Sequence, residues 1–420
     1  MTPPDRRRVL LIAFAYAEGA GSEPGVGFTT AAALAEHFDV TVVTDQAWPG
    51  TSPDPEPVPG RPHVVRMGPS RWPASWNPWT AQWRLELYYY AWLRTMARRL
   101  PTLIRESGAE LVQHVTYVRY WMPSAIDTAG RPFIWGPVGG GESVSDDLLR
   151  TSPPHVRRPE QFRSAIRAVF ERDPALARTA EAASIGLAAT PETAARMRRL
   201  TNAPIRVQPG VSLSRETVTH LAGLAAPPDG PVRFLSMGRL LHWKGFDLAL
   251  EALARSRHRD SSLWMVGDGP ERARLEADAA RLGLGDRVRF LGWLDRPRTL
   301  SLLAEGHVLL HPSLHDSGGM VCLEAMAASR PVICLEGNGP AYLCGESALT
   351  IPMSSRSATI EGLAEAMDRL CDDRAELLER GRRGQAHVAG THTAERRLAD
   401  LLDAYKGLLA ESGVSLGASG

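Results

Sequence analysis

Lysine is almost missing from this chain. Of the 48 basic residues among 420, only Lys244 and Lys406 are lysines and the other 46 are arginines. A lysine at 244 therefore stands against the habit of the sequence and asks for a chemical reason. Cysteine is scarce as well: Cys322, Cys334, Cys344 and Cys371 are spaced too widely for a metal knuckle and include no C-x-x-C pair. They read as free thiols in a reducing, cytoplasmic compartment rather than as a disulfide framework. No D-x-D triplet offers to hold a divalent metal, so none is expected. The first strand is not followed by an intact G-x-G-x-x-G, which argues against a nicotinamide dehydrogenase. There is no run of about 18 apolar residues that would span a bilayer. The short apolar run after a basic start, MTPPDRRRVLLIAFAYAEG, reads as a first strand and not as a signal peptide. With 48 basic and 47 acidic residues, no global field favours nucleic acid, so any anionic ligand must be held locally.

With 44% hydrophobic and 23% charged residues, the chain has the composition of a globular protein of about two or three domains. Residues 8–16 read as a strand, followed by a glycine-rich loop, a helix over 28–38 and a second strand over 40–45. That βαβ opening predicts an α/β fold with a parallel, doubly wound sheet. Further strands fall at 64–68, 110–116, 132–139 and 184–190, with an insert of mixed charge from Glu142 to about Ala183. Trp72, Trp76, Trp79, Trp83 and Trp92 crowd one stretch. There a helix is expected from about Trp79, with Trp79, Trp83, Leu87, Tyr90 and Leu93 on one face. Two readings of it stand: a packed element whose Trp83 and Tyr90 line a cleft, or, with Arg84, Arg94, Arg98 and Arg99 nearby, a peripheral contact with an anionic inner-membrane face. The stretch LAGLAAPPDGP (221–231) reads as a linker. Beyond it strand and helix alternate again. The expected domains are 1–210 and 211–392, with a helix at about 393–412 packing back on the first. The strand ends of both can border one cleft.

The stretch HPSLHDSGGMVCLEAMAASRPVICLE (311–336) carries most of the chemistry. A buried strand ends at His311, and two glycines, Gly318 and Gly319, open a helix. Such a helix start offers unpaired N–H groups and a positive dipole end to an anion, with no side chain in the way at the glycines. Glu324, two turns in among Leu323, Ala325 and Met326, is costly to bury unless it meets donors, either an arginine or ligand hydroxyls. Upstream, GRLLHWKG sets Arg239 after a strand and Lys244 before a helix, a planar fork and a point charge about one loop apart that suit a diphosphate. The turns VGDGP and FLGW follow strands, and Gly292, Trp293 and Leu294 can frame a nucleobase.

In this order, GR…WKG, VGDGP, FLGW and D-x7-E resemble the nucleotide-binding half of the family 4 retaining glycosyltransferases, strongly over residues 232–340 and more loosely in the first half. The resemblance implies the GT-B fold, two Rossmann-like domains facing across a cleft. It implies transfer of a sugar from a nucleoside diphosphate sugar, UDP ahead of GDP, to the hydroxyl of a glycan, a lipid-linked glycan or a small natural product. It further implies retention by front-face displacement with neither cofactor nor metal. Carried over by residue, Arg239 and Lys244 hold the diphosphate, Glu324 the ribose and Asp316 the transferred sugar. Ser317, Gly318, Gly319, Met320 and Val321 line the donor. The family's first acid is normally glutamate, so Asp316 is one methylene short. Gly25, Val26 and Gly27 resemble a glycine loop set before a helix, near the phosphates. His114 falls where the family places a histidine against the donor sugar, with His37 and His311 as alternatives. Gly139, Gly140, Gly141 and Glu142 follow another strand of the same domain and line the cleft. The competing readings are a sugar-nucleotide epimerase of the same fold and a silent sugar-nucleotide-binding protein in which Asp316 has removed turnover.

Overall fold

The computed structural model describes residues 6–411, apart from 20–21, 47–59, 70–71, 74–75, 79–81 and 125–126. The chain divides into two compact units. One comprises the described residues up to Gly141, Ile166–Gly210 and those from Leu398 onward, and the other Glu142–Ala165 and Val211–Arg397.

The first unit is built on a parallel sheet in the order β3-β2-β1-β4-β5-β6-β7. Its leading elements are β1 (Arg8–Ala13), α1 (Ser22–Ala35), β2 (Asp39–Asp45), β3 (His63–Met67), α2 (Gln82–Ser107), β4 (Leu111–Thr116) and β5 (Phe133–Val138). After α3 (Asp146–Thr151) and α4 (Pro154–Phe170) come α5 (Pro174–Ala182), β6 (Ile185–Ala188), α6 (Pro191–Met197) and β7 (Ile205–Val207). Its central strands are buried along nearly their whole length because helices cover both faces of the sheet, and β4 buries Gln113, His114 and Thr116 among its apolar residues. The strand order reverses between β1 and β4, the kind of switch point where open α/β sheets bind ligands.

The second unit repeats the pattern in a sheet ordered β10-β9-β8-β11-β12-β13. Its elements run α7 (Arg215–Ala222), β8 (Arg233–Met237), α8 (Phe246–Arg255), β9 (Ser262–Val266), α9 (Arg272–Arg281), β10 (Val288–Gly292), α10 (Arg296–Ser301) and β11 (Val308–His311). They continue with α11 (Met320–Ala327), β12 (Val332–Leu335), α12 (Gly339–Cys344), β13 (Leu349–Ile351), α13 (Arg356–Asp372) and α14 (Arg374–Thr391); the last helix, α15 (Ala394–Glu411), groups with the first unit from Leu398 onward. Here the switch point lies between β8 and β11.

Four expectations change in detail. The insert after β5 groups with the second unit from Glu142 to Ala165: Leu148 and Val156 are buried in that unit's core, and Ser145 Oγ donates to Met353 O at 2.5 Å. The apolar side of the insert decides its company, and alternating charge alone does not reveal it. The proline-rich stretch 221–231 is no free linker. Ala225 O accepts from Arg330 Nη2 at 2.6 Å, and Pro228 O from Arg374 Nη2 at 2.8 Å. Helix α1 starts at Ser22 rather than 28, with Pro24 in the first turn, where its missing N–H is no loss.

Helix α2 also differs. Its core face is Tyr88, Tyr89, Trp92, Leu93 and Met96, while Leu87 is 50% exposed. Trp92 Nε1 donates to Met67 O at 2.9 Å and Tyr88 OH to Asp45 at 2.7 Å, so the aromatic polar ends fix which face turns inward. Trp79 and the side chain of Trp83 lie outside the described residues. At the chain's end Leu401, Tyr405 and Leu409 pack with Leu11 and Phe38 of the first unit, and Tyr405 OH donates to Gln113 Oε1 at 2.5 Å. No helix among the described residues is long and apolar enough to cross a membrane.

Candidate functional site

The loops at the C-terminal edge of the second sheet are sewn together backbone to backbone. Leu314 N, after β11, donates to Trp243 O, after β8, at 2.7 Å, and Gly267 N, after β9, donates to Gly292 O at 2.8 Å. Glycine is required at two of these approaches. A Cβ on Gly245 would lie 2.0 Å from Pro312 O, and one on Gly267 2.0 Å from Gly238 O; both glycines have positive φ, 67° and 130°. The crossings bring the ends of β8, β10 and β11 to one edge beside the switch point, and with them most of the residues expected to bind a donor.

Lys244 closes a short 3-10 turn after β8. Its Nζ lies 2.5 Å from Asp316 Oδ2, and His311 Nε2 is 3.5 Å from the same oxygen. Asp316 Oδ1 accepts from Gly318 N at 3.1 Å. Burial pushes the Asp316 carboxyl up, but Lys244 and His311 outweigh it and hold it far below the usual carboxylate range. Burial also lowers His311, so its ring is neutral near pH 7. The two residues assigned to opposite ends of the donor, Lys244 to phosphate and Asp316 to sugar, are thus partners. Arg239, just past β8, is exposed.

Helix α11 begins at Gly319, whose φ of 110° is open only to glycine-like backbone and which supplies no side-chain cap. Its first-turn N–H groups therefore have no carboxylate or hydroxyl of their own cap to satisfy them, the condition for receiving an anion. Met320 and Val321 are half-buried in that turn, as are Gly318 and Ser317, whose Oγ donates to Glu142 Oε2 at 2.6 Å. Two turns in, the Glu324 side chain is 6% exposed and its Oε1 lies 2.6 Å from Arg296 Nη1 at the start of α10. That oxygen receives no aligned hydrogen bond among the described residues. Burial raises the Glu324 carboxyl, and Arg296 pulls it only partly back. A buried carboxylate held by a single part-exposed guanidinium keeps acceptor capacity that a pair of ligand hydroxyls would suit. Gly292 has a φ of 70° and Trp293 is 75% exposed, with Leu294 half-buried after it.

The residues expected in the first unit behave differently. Gly25, Val26 and Gly27 lie inside α1, not in a loop before it. A Cβ on Gly27 would come 2.4 Å from Ala15 O, so this glycine lets the helix press on the end of β1. His114 sits within β4 at 1% exposure, its Nδ1 2.5 Å from Ser124 Oγ and its Nε2 with no hydrogen-bond partner among the described residues. Burial lowers its pKa to about 3, which keeps the ring neutral. His37 shows no comparable burial. Gly139, Gly140 and Gly141 follow β5; Gly141 N donates to Thr193 Oγ1 at 3.0 Å, and a Cβ there would meet Thr193 Cα at 2.4 Å, so this glycine seats the loop on α6. Tyr90 OH donates to Asp173 Oδ2 at 2.9 Å. Glu142 is fully buried and belongs to the second unit, where Arg163 donates to its carbonyl.

Sequence reasoning missed Arg296 and Glu160. Glu160 Oε1 accepts from His242 Nε2 and from His315 Nε2, each at 3.0 Å. The signal was present for His242 and His315, which adjoin Lys244 and Asp316 in the motifs. It was absent for Glu160, which lies in the charged insert.

Residues 225–387 match the family described as glycosyl transferases group 1. The chain is 36% identical over 198 residues to the lipopolysaccharide core biosynthesis glycosyltransferase LpsE of Rhizobium meliloti, covering 47% of this chain and 54% of that one. It spans about half the length of the curated relatives it matches. Among solved structures, sucrose-phosphate synthase from Thermosynechococcus elongatus aligns over 97% of this chain and 100% of its own with a TM-score of 0.69 at 20% identity. The Anabaena protein HepE, solved with UDP and glucose, aligns over 96% of this chain and 100% of its own with a TM-score of 0.57 at 15% identity. These structural likenesses are of fold, and the fold, two Rossmann-like parallel-sheet domains, is GT-B.

Proposed function

We propose that this chain, whose second unit matches the glycosyl transferases group 1 family, is a retaining glycosyltransferase of the family 4 type. It takes a nucleoside diphosphate sugar, UDP ahead of GDP, and passes the sugar to a hydroxyl acceptor such as a glycan, a lipid-linked glycan or a small natural product. The observation that carries the reading is the meeting, at one sheet edge, of the glycine-capped α11, the Lys244–Asp316 pair and the buried Glu324 beside Arg296. The names of relatives that transfer sugars, and the UDP bound by a protein of the same fold, support it.

In this reading Glu324 takes the ribose hydroxyls. The N–H groups of the first turn of α11, with Lys244 and Arg239, take the diphosphate, whose charge they neutralise without a divalent metal. Asp316 meets the sugar once phosphate competes for Lys244. The acceptor oxygen attacks the anomeric carbon on the face from which the diphosphate departs. The C–O bond to phosphate breaks, the new glycosidic bond forms, and the departing phosphate oxygen takes the acceptor proton.

A second reading, the silent binding protein, draws on one observation: Asp316 and Lys244 neutralise each other at 2.5 Å. Incubation with UDP- and GDP-sugars, each with a panel of acceptors, separates the two by released nucleoside diphosphate. A donor present at 100 times its dissociation constant should also add about 2.7 kcal/mol of stability. Unchanged turnover in Glu324→Ala refutes the site assignment, and donor binding with no turnover on any acceptor favours the silent reading.

A further inference from the structure

Glu160 is buried at 2% exposure in a helix that precedes both donor loops by some 80 residues or more in sequence. One of its oxygens, Oε1, receives His242 from the loop after β8 and His315 from the loop after β11. Each histidine is a near neighbour of a charged site residue, His242 standing two before Lys244 and His315 one before Asp316. The His315 ring stacks on Trp243 at 5.8 Å with an interplanar angle of 16°, so the aromatic pair spans the same two loops. Arg163 Nη1 lies 3.7 Å from Glu160 Oε2, and its guanidinium also donates to Glu142 O. Although burial opposes its charge, donation from His242 and His315 holds the Glu160 carboxyl well below the usual range. It is therefore an ionised acceptor, to which both imidazoles donate.

We propose that Glu160 is a positioning residue: by gathering His242 and His315 on one oxygen it fixes the separation of Lys244 and Asp316, and so the poise of the end of the site that receives the diphosphate. The functional half of this statement rests on the glycosyltransferase reading; the structural half does not. The backbone bond from Leu314 N to Trp243 O joins the two loops at one point, and the Lys244–Asp316 pair joins them at another that a ligand would disturb. A third, ligand-independent point of attachment keeps the cation and the acid in register while phosphate displaces one from the other. The same segment supplies Glu142 to Ser317, so the insert braces the loop on both sides of Asp316.

The scarcity of lysine gives a direct test. Lys244 and Lys406 are the only side-chain amines in the chain, and Lys406 is exposed on α15 and serves as an internal reference. Full-length protein is treated with a limiting amine-reactive ester, and the two sites are quantified by peptide mass spectrometry, with and without UDP. In wild type Lys244, at 19% side-chain exposure against Asp316, is expected to label more slowly than Lys406. In Glu160→Ala the Lys244/Lys406 ratio is expected to rise about threefold, the scale of a lost part-exposed pair. Glu160→Gln, which keeps an oxygen acceptor, is expected to stay near wild type, and His315→Ala, a milder cut should Glu160→Ala not fold, to fall between. An unchanged ratio in folded Glu160→Ala or His315→Ala, or a Glu160→Gln ratio as high as that of Glu160→Ala, overturns the proposal. UDP is a separate arm: if it fails to protect Lys244 in wild type, the nucleotide reading falls while the ratio without UDP still decides the role of Glu160. If UDP protects wild type and Glu160→Ala at the same concentration, Glu160 does not poise the site.

Discussion

Arg296→Ala is the perturbation whose outcome the structure fixes most closely. It removes the guanidinium that pairs with Glu324, leaving a carboxylate that is 6% exposed without its cation, 2.6 Å away in the native protein. Removing one partner of a fully buried pair costs about 3–5 kcal/mol, whereas exposed pairs contribute about 0–1 kcal/mol. Arg296 is 46% exposed, so water can take part of its place, and a loss of about 2 kcal/mol is expected between those limits. In a unit of about 200 residues that is about 4–8 °C in Tm.

The pH dependence identifies the cause. Burial already raises the Glu324 carboxyl above 4.5 in the folded state, and removing Arg296 raises it further. Between the unfolded and folded values the native protein holds more protons than the unfolded chain, so stability falls as pH rises through that window. The deficit of Arg296→Ala relative to wild type is therefore larger at pH 8 and shrinks as pH falls toward 4, where the folded-state carboxyl takes up its proton. Glu324→Gln is expected to move the other way at pH 8, keeping or gaining stability, because a neutral amide has no charge to bury, while it weakens donor binding. Thermal unfolding of the three proteins at pH 4, 6 and 8 is the assay. An equal Tm loss at pH 4 and pH 8 refutes the reasoning and assigns the effect to packing of the arginine stem.

Two further outcomes follow from the same structure. Burial lowers His114 to about 3, and His307 and His392 to about 4. The unfolded chain takes up protons near 6.5 that the native state refuses, so stability should be complete above that pH and fall as pH drops toward 4. Denaturant titrations from pH 7.5 to 4.5 check this, and a flat profile, or one unchanged in His114→Asn, contradicts it. Gly245→Ala puts a Cβ 2.0 Å from Pro312 O at a φ of 67°. It should cost about 2–3 kcal/mol or more in stability and weaken binding of the donor, read by urea unfolding and by calorimetric titration with UDP. A neutral Gly245→Ala would mean that the loops after β8 and β11 are not held together as described.

The periodicity of the strands placed nearly every strand, because a sheet covered on both faces demands continuous apolar runs that little else in the chain imitates. The start of α11 was equally legible: a glycine pair between a buried strand and an apolar helix leaves the backbone few alternatives, and a lone lysine in an arginine-rich chain marks itself. Where side chains face one another was not legible. The sequence could say that a buried Glu324 needs donors but not that Arg296 comes near it, since Arg296 opens the helix that leads from β10, at the edge of the sheet, back to β11, and only the folded chain sets that helix start against α11. It placed Gly25–Gly27 before a helix, while contact with the end of β1 draws that helix back to Ser22. It read 142–183 as an insert of mixed charge, while Leu148 and Val156 commit the first half of that insert to the second unit's core and carry Glu160 to His242 and His315. Local patterning, in short, determined the elements and the chemistry of single motifs, because both depend on residues a few positions apart. The pairing of charges across loops was decided by the tertiary structure alone, because it depends on which strand ends a sheet sets side by side.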